Sequence, residues 1–216
     1  MLAATVCLGV GMGMGMGGCA RERNEIADAF ATNRLRALAR SVEQAKGAAR
    51  RAEVELIGSV ALMAELGSHT DRDGAFVEGR RGQAQARGRV STSVQRLGNV
   101  QTNASALLEE WAREAKSFSD AELKGSSRAE LKDLRTRWEP LARAGAELKR
   151  AYPAILTVLS DDTLSLKHRR TALGSKLDMP DATRRDEALA EVVRWTAEYQ
   201  RQADDFLESL PESAVE

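Results

Sequence analysis

Between Ser127 and Leu177 the large apolar residues fall at Leu131, Leu134, Trp138, Leu141, Leu148, Tyr152, Leu156, Leu159, Leu166, Leu173 and Leu177. Steps of three and four keep them on one narrow stripe of a helix, as a coiled-coil or bundle seam requires. Such a stripe cannot be left in water along a helix this long, so the chain must supply partners. Three further segments carry the same pattern. One runs from about Arg21 to Leu66, with Leu35, Leu38, Val42, Ala45, Ala49, Ala52, Leu56, Ser59, Met63 and Leu66 in its seam. The next runs from about Phe76 to Phe118, through Val90, Val94, Leu97, Ala104, Leu108, Trp111, Ala115 and Phe118. The last spans about Ala182 to Leu210, through Leu189, Val192, Thr196, Tyr199, Ala203, Phe206 and Leu210.

Punctuation between these runs is short. Gly67 to Gly74 is dense in Gly, Ser and Asp and reads as a turn, and Ser119 to Gly125 reads as a loop. Ser127-Arg128-Ala129-Glu130 fits a capping box at the start of the third helix, and Asp181 is a candidate N-cap for the fourth. Gly79, Gly82 and Gly88 each cost about 1 kcal/mol against Ala and weaken the start of the second helix. Pro140 and Pro153 remove amide donors inside the third, where a kink or short break is expected. Short connections make consecutive helices antiparallel. The fold class is therefore all-α: an elongated antiparallel coiled coil or bundle of about four long helices, the third kinked at its prolines.

Charge narrows the function. Lys plus Arg and Asp plus Glu both number 32, so the formal charge is zero. A balanced chain has no global field to gather nucleic acid, and that class of partner is set aside. Both cysteines, Cys7 and Cys19, lie in the first twenty residues, which leaves the body without a thiol framework or thiolate metal site.

The first twenty residues are apolar, rich in Gly and Met and free of charge, and Arg21-Glu22-Arg23 follows them. That suits a secretory signal better than a spanning helix. Its end, Met16-Gly17-Gly18-Cys19, resembles a bacterial lipobox. The resemblance implies a signal peptide over 1–18, a diacylglyceryl group on Cys19, and a lipidated N-terminus and tether over 19–25. Residues 26–210 would then form the bundle and 211–216 a frayed tail. Ala20 rather than Asp after the cysteine implies the periplasmic side of the envelope, at the outer membrane rather than the inner.

Two segments carry a wider resemblance. One is Leu107-Leu108-Glu109-Glu110-Trp111 with Ser117 to Leu123 after it; the other is Tyr152-Pro153-Ala154-Ile155-Leu156 with Leu164-Ser165-Leu166-Lys167-His168 downstream. Together they resemble the bacterial family called domain of unknown function 2959, made of helical, often lipobox-bearing envelope proteins. This chain departs from the family after His168, with Arg169-Arg170-Thr171. The resemblance implies fold and address, and no activity.

Other constellations read as structural. His69, Asp71, Asp73 and Gly74 overlay part of a calcium loop, but His69 stands at its first position and Arg80 where a bidentate Glu is required. A polar turn between helices is the better reading. Lys167, His168, Arg169 and Arg170 form a basic cluster; a solvated face is its ordinary meaning, and contact with an anion or a partner its functional one. Arg170, if it lies in the seam, must reach a carboxylate or snorkel outward. Arg87, Gln101, Thr163 and Thr196 are polar seam positions that set register. Trp111, Trp138 and Trp195 are core knobs. No acid, base and nucleophile converge, and no phosphate loop, metal motif or cofactor fingerprint occurs. The sequence thus points to a non-enzymatic, lipid-anchored scaffold, spacer or partner-binding protein without a cofactor. Its partners are a membrane and an envelope protein, and its seams can also close between two copies. The alternative is a helical module with a groove near Lys167–Arg170 for a lipid or anionic envelope ligand.

Overall fold

The computed structural model describes residues 18–171 and 182–215, with side chains for 33–169, 182–212 and 214. Four long helices account for nearly all of them: α1 (Gly18–Leu66), α2 (Arg72–Ser117), α3 (Ala121–Thr171) and α4 (Ala182–Glu208). No strand occurs among the described residues. At 1.5 Å per residue α1 and α3 are each about 75 Å long and α4 about 40 Å.

Contacts between helices fix the topology. Arg34 on α1 pairs with Glu110 on α2 at 2.8 Å, while the Ser59 hydroxyl donates to the Gly82 carbonyl at 3.3 Å. Trp111 and Ser93 on α2 meet Ser127 and Tyr152 on α3. Arg137 and Asp162 on α3 meet Ser209, just past the end of α4, and Arg185 on α4. Lys46 on α1 closes the ring onto Asp204 of α4. Each pair runs in opposite directions, so this is an up-down-up-down bundle with α1 beside α4. Because α4 ends beside Arg137, the first turns of α3 continue past it beside α2.

The core is the set of seams. Every α1 seam residue from Leu35 to Leu66 is buried, as are Leu131, Leu134, Trp138, Leu141, Leu148, Tyr152, Leu159 and Leu166 on α3. Leu173, Leu177 and Asp181 lie outside the described residues. Ala45, Ala48, Ala49 and Ala52 make α1 thin where α3 and α4 insert Tyr152 and Tyr199, and small against large fills that level. Trp138 meets Phe206 edge to face, with ring centroids 5.8 Å apart.

Several expectations change. The α2 seam runs Val90, Ser93, Leu97, Val100, Ala104, Leu107, all buried, whereas Val94 is 38% exposed and Leu108 and Trp111 are half-buried. Arg87 and Gln101 are exposed and set no register; Thr163 and Thr196 are buried. Gly79 and Gly82 are packing sites rather than weak points: a Cβ on Gly79 would stand 2.8 Å from Leu166 Cδ1, and one on Gly82 3.0 Å from Leu62 Cδ2. The capping box at Ser127 does not form. α3 starts about two turns earlier, where Asp120 Oδ1 accepts from the amides of Glu122 and Leu123 at 2.8 and 3.0 Å. Both prolines are exposed, and α3 passes through them unbroken. Residues 211–216, expected as a frayed tail, include a short helix, α5 (Glu212–Val215), whose Ala214 is buried and which packs on α1.

Candidate functional site

Polar side chains gather at the end of the bundle where α1 meets α2 and in its interior.

At that end the Asp71 carboxylate accepts from the Gly74 amide at 3.0 Å and caps α2. The residues that overlay a calcium loop are therefore a helix start. Opposite them lies the basic cluster. Arg169 is half-buried and donates through Nη1 to the Gly67 carbonyl just past α1, while Arg72 Nη1 donates to the Arg169 carbonyl at 3.1 Å. Each guanidinium thus sits on the carbonyl-rich C-terminal end of a neighbouring helix, where positive charge is stabilising. Lys167 and His168 are exposed on the last turns of α3, both engaged in contacts there. The side chain of Arg170 lies outside the described residues, so its place relative to the seam does too. Leu66, His69, Arg72, Ala75, Leu166 and Arg169 enclose about 10 Å³, room for about one water. Among the described residues the structure therefore brings Arg169 and Arg72 together as caps, and the space they line with their neighbours holds about one water.

Inside the bundle, Tyr152 is buried and its hydroxyl shares a 2.8 Å hydrogen bond with Ser93. Burial pushes its phenol up to about 12, against the pull of Ser93, and the nearby Glu53 carboxylate adds to the rise. Tyr199 is also pushed up, by burial first and then by Glu43 and Tyr152. Two turns before Arg169 on α3, Asp162 forms a buried ion pair with Arg185 at 3.3 Å, with side chains 0% and 7% exposed. Burial raises the Asp162 carboxyl, Arg185 draws it back, and Asp161 raises it again. Arg184 and Asp161 repeat the pair at 3.3 Å on the surface.

Spacing placed Tyr152, Tyr199 and Thr196 in their seams, but the interior charges were not legible as special. Glu53 and Arg185 look like ordinary surface charges, and Asp162 is one of an acidic pair; their only signal is that each falls on its helix's buried stripe. Among the described residues no group of three or more His, Cys, Asp or Glu side chains converges. No described helix is long and apolar enough to cross a membrane. Cys19 lies in the first turn of α1, its side chain outside the described residues.

Against this geometry, residues 27–210 match the family described as Protein of unknown function (DUF2959). The chain belongs to the DUF2959 family. The match spans all four long helices, so the bundle itself is the family's domain. No curated protein and no solved structure gives a significant match.

Proposed function

We propose that this DUF2959 protein is a non-enzymatic scaffold or spacer of the bacterial envelope, anchored by a lipid on Cys19 and meeting a protein partner along its helical flanks. The observation that carries the reading is where the apolar residues go. The seams of α1 to α4 are used against one another, with Trp138, Tyr152, Tyr199, Phe206 and the leucines among the side chains they bury. What remains for contacts is the exterior, with its interspersed charges. The lipobox-like Met16-Gly17-Gly18-Cys19 supports the anchor, and Ala20 supports the outer membrane over the inner. A helix from Gly18 onward gives such an anchor a stiff support about 75 Å long. The alternative, a ligand groove at Lys167–Arg170, is disfavoured by the capping duties of Arg169 and Arg72.

The test is mass spectrometry of the full chain purified from bacterial membranes, beside Cys19→Ala. A diacylglyceryl mass on Cys19, and release of the variant into the soluble periplasmic fraction, are expected. An unmodified Cys19 ends the anchor reading. Crosslinking in intact cells then names the neighbour, and the absence of any protein crosslink ends the scaffold reading.

A further inference from the structure

Buried polar groups are not satisfied evenly in this bundle. Where α1, α2 and α3 meet, they are paired: Ser93 with Tyr152 at 2.8 Å and Ser59 with the Gly82 carbonyl at 3.3 Å. Where α4 docks, several are not. Thr196 Oγ1 and the Tyr199 hydroxyl, both on α4, are buried without a hydrogen bond. Asp162 Oδ1 is buried and unbonded, its carboxylate meeting α4 only through Oδ2. Arg137 spends Nη1 on the Ser209 carbonyl at 2.5 Å, but its Nε is buried and unbonded. On α1, Glu53 lies two turns beyond Lys46, the residue that holds Asp204, and so on the same face. Its Oε2 has no hydrogen bond and meets Arg50 only at 3.8 Å. Each such group loses water on docking and regains nothing equivalent. α4 is also the shortest of the four long helices, with 27 residues against 46 to 51. The exposed pairs Lys46–Asp204 and Arg184–Asp161 add little in water.

We infer that α4 is a strap: it leaves its seat on α1 and α3 as one cooperative unit while α1, α2 and α3 stay folded together. Its apolar face, Val192, Tyr199, Ala203 and Phe206, makes the departure all-or-none rather than a fraying from one end. The opened form bares the matching stripe of α1 and α3, the surface an amphipathic helix would cover.

Native-state hydrogen exchange on the full chain reads this directly. Amides of 192–207 are expected to share one protection factor, at least about tenfold below that of 148–159 on α3 and 45–56 on α1. Thr196→Val with Tyr199→Phe removes two unbonded groups at nearly constant shape, and is expected to raise protection across α4 while the gap to α3 narrows. If α4 exchanges at the rate of α3, or shows a gradient from its ends, the strap does not exist. If the double variant folds but lowers α4 protection, the hydroxyls were helping to hold it, and the account of why it opens is overturned.

Discussion

Asp162 is wholly buried, and its one charged partner across the interface, Arg185, is nearly so. Such a pair gains little over well-packed apolar residues, but removing one member strands the other. Asp162→Ala is therefore expected to cost about 3–5 kcal/mol, and Asp162→Leu combined with Arg185→Leu far less. Urea melts followed by helix signal measure both, and equal losses would show that the pair is not acting as a unit. The two tyrosines set the alkaline limit. Below about pH 10 the phenols of Tyr152 and Tyr199 are protonated in folded and unfolded chains alike. Above it the unfolded chain releases its protons first, because burial holds Tyr152 up to about 12 and raises Tyr199 as well. Stability is thus expected to fall as pH rises through that window, Tyr152 alone accounting for about 2–3 kcal/mol. These are the chain's only tyrosines. Tyrosinate absorbance should therefore appear only with release of α4 or loss of helix; absorbance before either would mean the hydroxyls reach solvent in the closed bundle.

At the level of the helices, the glycines of α2 sort into two kinds. A Cβ on Gly88 or Gly98 meets nothing within 4 Å, so Gly88→Ala and Gly98→Ala are each expected to add about 0.5–1 kcal/mol through helix propensity alone. Gly79→Val drives a branched side chain toward Leu166 and Met63 and is expected to cost about 1–3 kcal/mol. Thermal melts of the three variants should move in these opposite directions. Spacing could not tell the two kinds apart, because a close approach depends on the neighbour. The same limit explains the α2 register. From Val90 to Leu97 a seam can step through Val94 or through Ser93. Hydropathy chooses the valine, but the Tyr152 hydroxyl arriving from α3 needs the serine. α1 was legible throughout because its stripe offers no such choice. The α3 start was misread because Asp120 and Ser127 are both good caps, and Ser127 is engaged instead by Trp111. At the end away from Gly18, Lys167 to Arg170 were visible as a charge cluster, but the Gly67 and Arg169 carbonyls that accept from Arg169 and Arg72 are brought there by the folded chain alone.

For the molecule as a whole, the antiparallel register predicts a rod. Small-angle scattering of the full chain is expected to give a maximum dimension of at least about 75 Å, and a compact sphere would contradict the fold. That rod is not of uniform girth. Beside Arg137 the long α4 gives way to the four-residue α5 packed on α1, while α1, α2 and α3 continue. Resistance to bending rises steeply with cross-section, so a sideways load would not curve the molecule evenly. It would flex at that step, toward the end that carries Gly18, and leave the thicker end moving as a rigid head.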